Sequence, residues 1–150
     1  DGLQSSDLPG NVGRDMSNVR GTAPLGQGPG VDFFNQQYQD AYDSDPSGQP
    51  FVRQAYDAAA VLVLANAAAG ENDGASVSEN MRTVAQGDGE EITPETLVDG
   101  IEMAANGEAI NYQGVSGPIG FDENGDLATA TYDYFQFTSD GLESIENITP

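Results

Sequence analysis

Residues 51–69, FVRQAYDAAAVLVLANAAA, constrain the fold more than any other stretch of the chain. The segment contains neither Gly nor Pro and is nearly apolar on every side after Asp57. That pattern predicts a long, deeply buried helix rather than an amphipathic surface one. Gly70 follows at once and supplies the residue type that most readily ends a helix in the left-handed conformation.

The remaining elements follow from periodicity and punctuation. Residues 6–12 predict a short helical turn, and residues 19–25 (VRGTAPL) a short strand running into the linker GQGPG. Val31, Phe34, Tyr38 and Ala41 or Tyr42 recur at helical spacing, so residues 31–42 read as a helix. Residues 76–85 read as another, with Val77, Met81 and Val84 inward, and QGDGEE after it as a loop. Thr93 and Pro94 form a cap and first-turn pair for a helix reaching Asn106, with Leu97, Ile101 and Ala104 or Ala105 on one stripe. The period then changes: residues 117–121 predict a short strand, 127–137 a longer one and 142–148 a last one. Helices outnumber strands, and a self-contained doubly wound sheet needs more strands than these. The sequence therefore reads as a piece cut from a larger α/β protein.

Charge narrows the function. Of 150 residues, 25 are acidic and 4 basic, for a formal net charge of -21, and every base is arginine (Arg14, Arg20, Arg53, Arg82). Such a chain repels itself at low ionic strength and is screened at high, where the Debye length falls to ~3 Å at 1 M. The acids are spread along the whole chain, which favours adaptation to salt over a block meant for a basic partner. Four arginines cannot neutralise a phosphate track, so nucleic acid is disfavoured. Aromatic and aliphatic residues are too frequent and too periodic for disorder. Cysteine and histidine are both absent, which removes disulfides, thiolate chemistry, the commonest general base and the commonest transition-metal ligand.

Three segments together carry a family resemblance. Residues 107–126, GEAINYQGVSGPIGFDENGD, match an aromatic-Gly-x-Ser-Gly-Pro-x-x-Phe-Asp-x-x-Gly-Asp pattern through Tyr112, Gly114, Ser116, Gly117, Pro118, Phe121, Asp122, Gly125 and Asp126. Residues 48–64 match a Pro-aromatic helix start followed by Tyr-Asp-Ala, and DGLQSSDL before VRGTAPL matches an acidic-Gly loop leading into a strand. In their order along the chain they resemble the C-terminal part of type I solute-binding proteins of ABC importers, the branched-chain amino-acid receptor family. The resemblance implies an α/β fold class, two Rossmann-like three-layer lobes closing on a ligand, of which this chain is the C-terminal portion. It places residues 1–25 and 134–150 in the second lobe and 26–133 in the first, with crossovers near residues 25–30 and 132–134. The Ser/Thr loop that binds a ligand carboxylate in the family would lie in the part of the first lobe not represented.

The same resemblance supplies two candidate ligand-binding residues. Asp1 lines up with the acidic residue that meets a ligand's ammonium group, with a frayed terminus as the alternative. Phe51 lines up with a pocket-lining aromatic, with ordinary packing at a helix start as the alternative. Tyr56 also matches, in a packing or hinge role. Asp122 to Asp126 faintly suggests a calcium loop, but Leu127 stands where the EF-hand needs Gly, and position 133 is Asp rather than the closing Glu. Ser116 in GVSGP is not a G-x-S-x-G nucleophile elbow. No catalytic residue, metal site or cofactor is expected.

The expected function is capture of a small polar solute, most readily an amino acid, for a membrane ABC permease, outside the cell and anchored at its surface. A sensory domain of the same fold is the alternative, and a carboxylate-based hydrolase a more distant one. A fragment of such a clamp leaves helix faces and strand edges open, which an oligomer would cover.

Overall fold

The computed structural model describes residues 2–139 and 141–149. Two apolar clusters organise it. The larger gathers α3 (Val52–Ala69), α4 (Gly74–Gln86) and α5 (Leu97–Ala105) around a parallel strand pair, β2 (Glu90–Ile92) and β3 (Ile110–Tyr112). Its centre is Val61, Leu64, Ala65, Val84, Ile92, Ala104, Ile110 and Tyr112, all essentially inaccessible. The smaller belongs to an antiparallel sheet of order β1-β4-β5: β1 (Arg20–Pro24), β4 (Tyr132–Thr138) and β5 (Gly141–Ile148). There Ala23, Phe135 and Phe137 are buried, with Leu8 of the short α1 (Leu8–Val12), Met16 and Leu142 packed over them.

Local chemistry sets the element ends. The Asp73 carboxylate accepts the N–H groups of Ala75 and Ser76 at 3.1 and 3.0 Å and starts α4. Gly70 ends α3 at φ 67, its N–H reaching the carbonyls of Asn66 and Ala67. A 3-10 turn, Pro94–Thr96, leads into α5, and the Thr96 hydroxyl accepts the N–H of Thr93 at 3.0 Å. The helix α2 (Val31–Tyr42) has the bounds that its apolar spacing predicts, and its Phe34 meets Tyr56 of α3 edge-on at 5.2 Å.

Four expectations change. The last two residues of the loop predicted at QGDGEE begin β2, and residues 110–112 form β3, so β2-α5-β3 is a parallel β-helix-β unit. The strand predicted at 117–121 is two isolated bridges, Gln113 with Pro118 and Phe121 with Leu127, because Gly114 and Gly117 bond each other in a tight turn. The strand predicted from Leu127 begins at Tyr132, since the residues before it pass from one cluster to the other. Finally, α3 is not buried all round. Val61, Leu64 and Ala65 face the core, whereas Ala58, Ala59, Leu62 and Val63 are exposed. Packing covers one side of this helix only, so an apolar stripe is left facing outward.

Candidate functional site

The clusters meet where the chain crosses between them. After β1 the Leu25 N–H donates to the Thr131 carbonyl at 2.8 Å, tying the outgoing segment to the returning one just before β4. Three residues on, the Gly28 N–H donates to the Val115 carbonyl at 2.7 Å. A Cβ on Gly28 would lie 1.8 Å from the Gly114 carbonyl oxygen, so only glycine fits this approach.

The turn that receives Gly28 is anchored by a buried carboxylate. Asp57, on the inner face of α3 and 2% exposed, accepts the N–H of Val115 at 2.8 Å, the N–H of Ser116 at 2.7 Å, the Ser116 hydroxyl at 2.5 Å and the Tyr112 hydroxyl at 2.9 Å. A carboxylate has lone pairs for about four donors, and here all four are supplied. Burial, with the Asp57 charge beside it, pushes the Tyr112 hydroxyl far above the ordinary phenol range. Ser116 therefore serves as a structural donor in this arrangement, its N–H and hydroxyl both held by the Asp57 carboxylate.

A polar cavity of about 100 Å³ opens at the crossing. The smaller cluster contributes Pro24 of β1, Asp133 of β4 and Gln4; the larger contributes Phe51, Arg53 and Gln54 at the start of α3. Arg53 donates from Nη1 to the Gly26 carbonyl at 2.8 Å and from Nη2 to Asn35 Oδ1 at 3.1 Å, while its Nε is buried without a partner. Partial burial pulls the guanidinium below the ordinary arginine value, and Asp45 pulls the other way. Asp133 accepts from the Ser144 hydroxyl at 2.5 Å and from Gln4 Nε2 at 3.2 Å. A neighbouring space of about 310 Å³ shares Gln54 but is walled mainly by apolar groups of Pro118, Ile119, Leu127 and Ala130. The smaller of the two is the one lined mainly by polar groups.

Phe51 lies on the wall of the polar cavity, 44% exposed, and it is one of two non-glycine residues with positive φ among the described residues, at 68. Asp1 falls outside the described residues. Tyr56 packs against Phe34, as a packing role requires. At 122–126 the Asp122 carboxylate accepts the N–H groups of Asn124 and Asp126 at 2.9 and 3.0 Å, and the Asp126 bond leads in holding it below the usual carboxylate range. That carboxylate closes a turn, and no group of acidic side chains suited to a metal ion occurs among the described residues.

The sequence reading gave Arg53 and Asp133 no place in a site and took Asp57 only as a motif letter. One signal was available: Asp57 is the only acid in an otherwise apolar helix, and an acid there needs dedicated donors.

Comparison with known families decides the lineage. The family described as the receptor family ligand binding region matches residues 16–140. The chain belongs to this family. The receptor family ligand binding region has the type I periplasmic-binding-protein fold, and the mixed α/β architecture here is part of that fold. It is a ligand-binding, non-enzymatic family. No curated protein and no solved structure gives a significant match. No described helix is long and apolar enough to cross a membrane.

Proposed function

We propose that this chain is part of a two-lobed solute receptor of an ABC importer, which holds a small polar solute between hinged lobes and presents the closed form to a membrane permease. In this reading residues 1–25 and 134–150 belong to one lobe and 26–133 to the other. The protein works outside the cell, tethered to its surface in a salt-rich medium. An amino acid is the favoured solute, and Phe51 supplies an apolar wall beside it.

The observation that carries the reading is the polar cavity between two separate apolar clusters, at the point where two crossing strands of chain are bonded together. Hinge closure around a solute needs that arrangement: two bodies, few connections and polar groups at the seam. Among the described residues the buried charged group, the Asp57 carboxylate, is spent on four structural donors.

A melting screen of the full-length protein in molar salt tests this, with amino acids, short amides and urea as solutes. A specific solute raises the midpoint with its concentration, by about 2.7 kcal/mol of stabilisation at a hundred times Kd. Chemical conversion of the solute, or no response to any compound, contradicts the proposal.

A further inference from the structure

The larger of the two spaces at the crossing, about 310 Å³, has a construction of its own. One wall is the end of the antiparallel sheet: Pro24 closes β1, Thr131 precedes β4 and Thr149 follows β5. The opposite wall belongs to the larger cluster, through Gln54 of α3 and through Pro118 and Ile119. Residues 127–131, which pass from one cluster to the other, close a third side with Leu127 and Ala130. Leu127 is 49% exposed there, an apolar side chain with room beside it.

In a chain with 25 acids and 4 bases, no charged side chain among the described residues lines this space. Its polar side chains are nearly all accounted for. The Thr131 and Thr149 hydroxyls bond each other at 2.9 Å, the Ser116 hydroxyl is held by Asp57, and Thr129 is exposed to solvent. Gln54 is the exception: it is half-buried, and its amide makes no hydrogen bond to another described residue. A primary amide carries two N–H donors and a carbonyl acceptor, so this group is open to an occupant. Sites for small molecules are built this way, with apolar walls, a few placed polar groups and a position between two bodies.

We infer that this space binds a compact, uncharged, mainly apolar molecule bearing one hydrogen-bonding group, which pairs with the Gln54 amide. An ionised guest would give up hydration and meet no counter-charge on the walls. The volume is about twice the ~150 Å³ that suffices for benzene, so one six-membered ring with a polar substituent fits. Such a guest touches the sheet end and α3 at once and braces the crossing between them. It is uncharged and sits beside the polar cavity, so its binding does not depend on the receptor reading.

The test uses the full-length protein in molar salt and three probes of one shape: cyclohexanecarboxamide, cyclohexanecarboxylate and cyclohexylmethylammonium. In calorimetric titrations the carboxamide binds at least about tenfold more tightly than either ion. It also slows hydrogen exchange at the amides of Leu25 and Ala128, whose bonds to Thr131 and Gly120 flank the space. Ala130→Leu fills the space and weakens the carboxamide by at least about tenfold. Gln54→Leu keeps the volume, removes the polar partner and weakens it about fivefold. Should either variant fail to fold, the three-probe comparison and the exchange pattern of the unaltered protein still decide. No binding of the carboxamide, equal affinity for all three probes, or protection that spares Leu25 and Ala128 overturns the assignment. Wild-type affinity in a folded Ala130→Leu variant overturns it as well.

Discussion

Asp57 and Ser116 are joined twice, the carboxylate Oδ2 accepting the serine N–H at 2.7 Å and its hydroxyl at 2.5 Å. This pair of hydrogen bonds fastens the inner face of α3 to the turn that receives the first crossing segment. Asp57→Ala strands the donors of Tyr112, Val115 and Ser116 in a dry interior and should cost about 3–5 kcal/mol. Ser116→Ala removes one of the two bonds and should cost about 1–2 kcal/mol. Chemical denaturation in molar salt measures both, and equal losses for the two variants would count against Asp57 as the anchor.

Tyr112 gives a pH signature. Its hydroxyl is buried against Asp57, and burial, followed by the Asp57 charge, raises its folded-state value above the ordinary phenol value. The unfolded chain therefore releases this proton near pH 10 while the folded chain keeps it. The contribution to stability is complete below about pH 10 and is lost as pH rises further. Tyr112→Phe should flatten that alkaline decline and cost about 1 kcal/mol at neutral pH through its lost bond to Asp57. Denaturant midpoints from pH 8 upward would show it, and an identical decline in the variant would refute the assignment.

Two glycines should respond in opposite directions. Gly28→Ala drives a methyl group into the Gly114 carbonyl, backbone that cannot step aside, so the crossing segment must shift. A loss of more than about 2 kcal/mol is expected. Gly74, at the first position of α4, has ordinary φ and open space around its Cβ direction. Gly74→Ala should stabilise by about 0.4–1 kcal/mol through the unfolded chain. Paired denaturation curves decide both.

Salt should act on the whole molecule. With a formal charge of -21, self-repulsion opposes the compact state and is screened as salt rises. The melting midpoint should climb by about 2–4 °C from dilute buffer to molar KCl, on the order of 1 kcal/mol. A flat or falling curve would remove the case for a salt-rich habitat.

The sequence disclosed elements that carry their own signals and concealed those that depend on neighbours. The helix α2 was legible because Val31, Phe34 and Tyr38 recur at its period, and α5 because Thr93-Pro94 announces its start. The strands β2 and β3 were not. Each spans three residues, and in β2 only Ile92 is buried, behind two glutamates that look like loop. The exposed side of α3 was hidden for the opposite reason: composition reports that Leu62 and Val63 are apolar, not what covers them. The site was half legible. Phe51 came from the resemblance, while Arg53 and Asp133, far apart in sequence, line one cavity because Arg53 bonds Gly26 just after β1 and β1 pairs with β4.

The central claim is closure of two bodies around a solute. Small-angle X-ray scattering of the full-length protein, with and without the solute that raises its melting midpoint, tests it directly. The radius of gyration should contract on saturation and relax when the solute is dialysed away. An unchanged scattering curve at saturating solute would contradict closure and leave this chain as half of something other than a clamp.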